Sequence, residues 1–374
     1  MRPAWAEAYN NLGVALEARG QWVKAENAFR AAARLEPTYL QPRLNLGNVL
    51  RAQGRPADAA DAYRSASRLR PDDPGPYCGL GAVCLEMGLL NEGLTHYRRS
   101  SDLQPQSASA HSDLLFWMMH DPKVGPRALF DEHVRRAERH EWPLRSNSRG
   151  AFGNDKHPDR PLRVGYVSPD FREHPVARFI EPVLAGHDPA HVVPVCYSDV
   201  ARPDAVTARL RASVPEWRDA SGVTDDELAA LIRRDRIDIL VDLTGHMGGS
   251  RLPSFARRPA PVRATYMGYP YSTGMSSMDW RITDEASDPT GATEQYNSER
   301  LMRLEGCAFC YRPTESPPVA ELPACATGAV TFGVFNRMAK VNAGAAATWA
   351  RVLAAVPNSR LVVLAPRSRR GRRR

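Results

Sequence analysis

The first third of the chain repeats itself every 34 residues. Leu12-Gly13, Leu46-Gly47 and Leu80-Gly81 stand in that register. Gly20, Gly54 and Gly88 keep it, as do Ala25, Ala59 and Gly93, then Phe29, Tyr63 and Tyr97, then Pro37, Pro71 and Pro105. A period of this length means a stack of helix pairs, each burying its apolar face on its neighbours. Small residues let the two helices of a pair approach closely. The proline stops the second helix, because it lacks an N–H and clashes with the preceding turn. The register predicts that Leu12, Leu46 and Leu80 are buried and that Phe29, Tyr63 and Tyr97 fill the pair interfaces.

This is the tetratricopeptide signature, and such arrays bind extended peptides or serve as scaffolds. A fourth unit begins at Ser107 and leaves the pattern after Phe116, which predicts a capping helix. Residues 126–140 predict another amphipathic helix, and 144–161 are a polar linker containing Gly and Pro. The expected partition is 1–106 for three repeats, 107–160 for capping helices and linker, 161–325 for a first α/β lobe, 326–366 for the start of a second, and 367–374 for an arginine-rich tail.

From 162 onward apolar runs alternate with helical patterns. Strands are predicted at 162–167, 192–198, 237–243, 264–267 and 280–283, with helices at 176–184 and 225–234; Thr224 or Asp225 would cap the latter. This alternation implies a parallel sheet covered by helices, with ligands beyond the carboxyl ends of the strands. Three loops fall on that rim: the Ser168–Pro175 segment, the Thr244–Gly249 segment with His246, and the Gly268–Gly274 segment with Tyr269 and Pro270. A second α/β unit starts at Val330, passes through a helix at about 342–356 and reaches a strand at 360–364. Two strands and a helix fall short of a domain core, so this unit is expected to be incomplete.

Composition narrows the function classes. Hydrophobic content of 43% and charged content of 25% suit a soluble globular chain. No apolar run is long enough to span a bilayer, and the N-terminus lacks a secretory h-region, which together with six scattered cysteines suits the cytoplasm. Cys307 and Cys310 form a C-x-x-C with no second pair at zinc-site spacing, so no metal site is expected. The net charge of +8 is concentrated in the last eight residues, RSRRGRRR, which hold six arginines and leave a body near +2. A terminal run without interleaved aromatics argues against nucleic acid as the partner.

The blocks "RVGYVSPDFREHPV", "IDILVDLTGH", "RPAPVRATYMGYPYSTG", "MDWRITD" and "FGVFNRMAKVNAGAAATWARVLAAVPNSRLVVL", placed after tetratricopeptide repeats, resemble the protein O-GlcNAc transferase family, including its bacterial members and its Spindly-like relatives. The resemblance runs from about residue 6 to 364. It implies a GT-B enzyme: a repeat superhelix, a first Rossmann-like lobe, and a second lobe that here is cut short at its C-terminal side. It further implies transfer of N-acetylglucosamine from UDP-GlcNAc to Ser or Thr of protein acceptors, with inversion and with neither metal nor cofactor.

Residue by residue, the resemblance assigns His174 of "DFREHP" as the catalytic base or the group that places the acceptor. An imidazole suits either task near neutral pH. Asp170 is expected to serve loop structure. Lys340 would meet the donor diphosphate and stabilise charge on the leaving group. Where the family carries a glutamine that meets uracil, this chain has Arg337. Tyr269, Pro270 and His246 are read as lining the acceptor side or as structural. Two alternatives stand beside this reading: a Spindly-type protein O-fucosyltransferase, and an inactive tetratricopeptide interaction module.

Overall fold

In the computed structural model, residues 3–144, 152–313, 316–336 and 340–364 are described. Arg337 and the arginine tail lie outside them. The chain divides into two compact units, one comprising 1–105, 117–123 and 318–374, the other 106–116 and 124–317.

The first unit opens with six helices in pairs: α1 (Pro3–Ala18) with α2 (Trp22–Leu35), α3 (Gln41–Ala52) with α4 (Pro56–Leu69), and α5 (Pro74–Glu86) with α6 (Leu90–Leu103). Within each pair the turn passes through Gly20, Gly54 or Gly88 at φ of 70°, 71° and 79°, the left-handed region that glycine enters without a Cβ penalty. The second helix of each pair stops two residues before its proline. The intervening Glu36, Arg70 and Gln104 swing to ψ of 90°, 88° and 65°, because a residue before proline is excluded from the helical region.

Phe29, Tyr63 and Tyr97 are buried, and Tyr63 explains the small residues around it. A Cβ on Gly47 or on Gly79 would lie 2.5 Å from its ring, so only glycine admits the ring between α3 and α5. The expectation for the three leucines is corrected in part. Leu80 is 2% exposed, Leu46 is half-buried, and Leu12 is 49% exposed. Leu80 packs with Leu50, Ala59 and Tyr63 of the preceding pair. Leu12, on α1, is exposed at the position where Leu80 meets the preceding pair.

The same unit contains α13 (Pro323–Thr327), β8 (Thr331–Phe335), α14 (Ala343–Ala355) and β9 (Arg360–Leu364), with β8 and β9 paired in parallel. Val330, Phe335, Val362, Val363 and Leu364 are exposed on this two-stranded layer.

The second unit begins with α7 (Ala108–Met118) and α8 (Pro126–His140), then alternates: β1 (Leu162–Ser168), α9 (Pro175–Ala185), β2 (Val192–Ser198), α10 (Ala205–Ser213), β3 (Glu216–Asp219), α11 (Asp225–Arg234), β4 (Ile239–Asp242), α12 (Leu252–Ala256), β5 (Val262–Tyr266), β6 (Trp280–Asp284) and β7 (Arg300–Leu304). All seven strands are parallel, in the order β3-β2-β1-β4-β5-β6-β7. Alternate residues feed two cores on opposite faces. Val167, Tyr197 and Leu240 point into one; Tyr166, Cys196 and Val241 point into the other. The chain builds outward from β1 in one direction and then, from β4, in the other. The adjacent ends of β1 and β4 are therefore the topological switch point at which doubly wound sheets hold ligands.

Candidate functional site

Ser168, the last residue of β1, is fully buried, and its Oγ accepts the Asp170 N–H at 3.0 Å. This turns the chain so that Asp170 is held inside, 5% exposed, while His174 emerges as the N-cap of α9 in extended conformation. The His174 side chain is 24% exposed. Its Nδ1 accepts the Val176 N–H at 3.3 Å and lies 3.5 Å from Asp170 Oδ2. The imidazole borders a cleft of about 290 Å³, lined also by Arg172, Arg178, Arg209, Tyr311 and Arg312.

Beside this, at the end of β4, Asp242 organises the second rim loop. Its carboxylate is fully buried and accepts the N–H groups of Thr244 and Gly245 at 3.1 and 2.8 Å and the Thr265 hydroxyl at 2.9 Å. Burial nonetheless pushes its pKa up to about 6. Gly245 has φ of 58°, and a Cβ there would meet Tyr269 at 2.3 Å, so the loops after β4 and β5 lock against each other.

His246 and Tyr269 are enclosed, at 1% and 4% exposure, whereas Pro270 is exposed. His246 Nε2 must carry its proton, because it meets the Thr273 carbonyl at 2.9 Å; Nδ1 is then left to accept from the Ser112 hydroxyl at 3.4 Å. Arg136 Nε–H donates to the same hydroxyl oxygen at 2.8 Å, and its guanidinium pairs with buried Glu141. The Tyr269 hydroxyl donates to His133 Nε2 at 2.8 Å, while His133 Nδ1–H donates to the Leu129 carbonyl at 2.7 Å. Burial pushes the pKa of His133 down to about 4 and that of His246 well below its ordinary value. Both histidines are neutral, with tautomers fixed by carbonyls, and they tie α7 and α8 to the rim loops. His133 and Arg136 were not singled out in the sequence. Their spacing with His140, at i, i+3 and i+7 on α8, is the signal that could have found them: three ionisable side chains on the buried face of one helix.

Lys340 belongs to the other unit, where it is exposed just before Asn342, whose side chain caps α14 by accepting the Ala345 N–H at 2.9 Å. Cys307 and Cys310 are exposed free thiols. Among the described residues no group of three or more His, Cys, Asp or Glu could hold a metal ion, and no helix is long and apolar enough to cross a membrane.

Comparison with known proteins shows which family combines a helical-repeat array with a doubly wound lobe of this kind. Residues 144–310 match the model of glycosyl transferase family 41, and residues 6–39 and 47–88 match tetratricopeptide repeats. A solved structure of a mutant of Thermobaculum terrenum O-GlcNAc transferase superposes with a TM-score of 0.87 at 35% identity, covering 98% of this chain and 69% of that one. A protein of Arabidopsis thaliana named as a probable UDP-N-acetylglucosamine–peptide N-acetylglucosaminyltransferase, SPINDLY, is 46% identical over 218 residues, 57% of this chain and 24% of its own length. Its counterpart named SEC, from the same plant, is 33% identical over 216 residues, 54% of this chain and 22% of its own. The chain thus spans about a quarter of the length of these plant relatives. The chain belongs to the O-GlcNAc transferase family, glycosyl transferase family 41.

Proposed function

We propose that the chain serves protein O-glycosylation, with the second unit supplying the acceptor side of the reaction and His174 handling the acceptor hydroxyl. The observation that carries this is the placement of His174: partly exposed, in an open cleft, at the switch point between β1 and β4. In the reaction a Ser or Thr oxygen bonds to the anomeric carbon of N-acetylglucosamine, the bond to UDP breaks, and the hydroxyl proton leaves to a base. His174 Nε2 is that base when Nδ1 carries a proton held toward Asp170. When Nδ1 instead caps α9, Nε2 carries the proton and can only donate to the acceptor oxygen. Lys340 and Arg337 are proposed to meet the donor diphosphate and base, with Lys340 stabilising charge on the leaving group. The tetratricopeptide pairs would present the polypeptide acceptor.

Transfer is tested by mass spectrometry of Ser/Thr peptides after incubation with UDP-GlcNAc, with GDP-fucose as the Spindly-type alternative. His174→Ala is expected to lower kcat by roughly 10²–10⁴ while leaving donor affinity intact. Equal kcat in both proteins would remove His174 from the chemistry. A second reading, an interaction module without transfer, is favoured by one feature: the apolar residues exposed on β8 and β9.

A further inference from the structure

The cleft beside His174 holds four arginines, and two of them are already neutralised. Arg178 pairs with Glu173 at 2.6 Å, and Arg209 pairs with Glu181 at 2.5 Å. Arg172 reaches the Asp170 carboxylate and the Pro169 carbonyl, each at 3.4 Å, well beyond the 2.7–2.9 Å typical of a strong charge-assisted bond. Arg312 is exposed and has no ionic or hydrogen-bonded partner among the described residues. Two under-neutralised guanidiniums therefore border the same cleft as the imidazole. Tyr311, 59% exposed, adds an aromatic wall, its ring 5.7 Å from that of Phe179, which also touches Phe309 at 5.6 Å.

We propose that this cleft selects acceptor polypeptides in which the modified Ser or Thr has an acidic side chain close by, its carboxylate taken by Arg312 and Arg172 and the neighbouring backbone laid against Tyr311. The proposal rests on the reading of His174 as the group that handles the acceptor hydroxyl. A carboxylate fits better here than a nucleotide diphosphate. Arg178, Arg209 and, at longer range, Arg172 face the carboxylates of Glu173, Glu181 and Asp170. The charge left over for an incoming anion is therefore close to that of one guanidinium, which a single carboxylate matches and a diphosphate exceeds. The partner is thus defined by charge and by one apolar contact, and the preference is for an acidic neighbour over a neutral or basic one.

The test measures binding, which does not depend on transfer. Fluorescein-labelled peptides containing one Thr flanked by Asp, by Asn or by Lys are titrated with the full chain, and anisotropy is read at about 50 and 300 mM salt. The Asp peptide is expected to bind roughly three- to ten-fold tighter than the Asn peptide at low salt, with the gap narrowing at high salt as screening sets in. Arg312→Gln and Arg172→Gln should each shrink that ratio and together abolish it, while affinity for the Asn peptide stays within two-fold. Equal affinity for the Asp and Asn peptides overturns the proposal. So does an unchanged ratio in the double variant, which would place the preference on the repeat array. Displacement of the Asp peptide by UDP, with UDP binding weakened in Arg312→Gln, would assign the arginines to a diphosphate and also overturn it. His174→Ala separates the two readings: if it keeps both transfer and the Asp preference, the acceptor-hydroxyl role fails while the anion subsite stands.

Discussion

His174 Nδ1 lies between a donor and an acceptor, the Val176 N–H at 3.3 Å and the Asp170 carboxylate at 3.5 Å. A ring nitrogen cannot serve both in one protonation state, so these neighbours decide which tautomer the cleft receives. Asp170 is buried, and at 3.5 Å its carboxylate acts on Nδ1 through its negative charge, without the short contact of a strong charge-assisted bond. The carboxylate therefore favours Nδ1–H and a basic Nε2. Asp170→Asn removes that bias. The expected outcome is a fall in kcat with little change in KM for the donor, and a shift of the ¹⁵N resonances of His174 toward the Nε2–H tautomer. Unaltered ¹⁵N shifts would leave Asp170 as a loop-forming residue only. The histidine and its block were visible in the sequence, because a strand ending in Ser-Pro-Asp before His-Pro is a local pattern. The second claimant on Nδ1 was not, since an N-cap bond depends on backbone angles that the residue types leave open.

Helix α8 shows how an element can be anchored by polar groups rather than apolar ones. His133, 1% exposed, is neutral between Leu129 and Tyr269, with Arg136, Glu132 and His111 also acting on it. Its pKa is depressed in the fold to about 4 from an ordinary 6.5, so the unfolded chain takes up the proton first as pH falls. Its contribution is whole above about pH 6.5 and is lost as pH drops through 4, a difference of about 3 kcal/mol. Asp242, raised to about 6, acts in the opposite sense, adding stability as pH falls below 6. Replacing His133 with Gln is therefore expected to flatten the acid limb of a thermal-denaturation profile between pH 7 and 4.5; an unchanged slope would mean that the depressed pKa belongs elsewhere. Elements with strong patterns were legible in advance. α11 starts at the Thr224 cap, which forms a reciprocal capping box with Glu227. β3 was missed because Glu-Trp-Arg-Asp carries no apolar alternation; its Arg218 is held instead by Glu216 and Asp235. β7 was missed as well, for its Arg-Leu-Met-Arg-Leu run leaves Met302 and Leu304 exposed.

For the molecule as a whole, the two units differ in how completely they bury what they contain. The seven-stranded sheet has a core on each face, whereas β8, α14 and β9 leave Phe335 at 78% and Leu364 at 57% exposure. A diphosphate is held by several donors together, usually helix N-terminal amides with a cation, and Lys340, proposed above for that cation, is solvent-exposed. Calorimetric titration of the chain with UDP is expected to show no binding tighter than millimolar; a micromolar Kd would show that these two strands and their helix hold the nucleotide unaided. The strand order has a consequence for synthesis as well. Each helix pair of the repeat array contacts only its neighbours, so it can close as soon as it leaves the ribosome. β1 cannot: one of its two partners, β4, begins 71 residues after β1 ends, and at 5–20 residues per second that is roughly 4–14 s of translation. During that interval the edge of β1 that will meet β4 stands open, with His174 already made, so the nascent sheet is most vulnerable to mispairing and chaperone capture at the strand that builds the site.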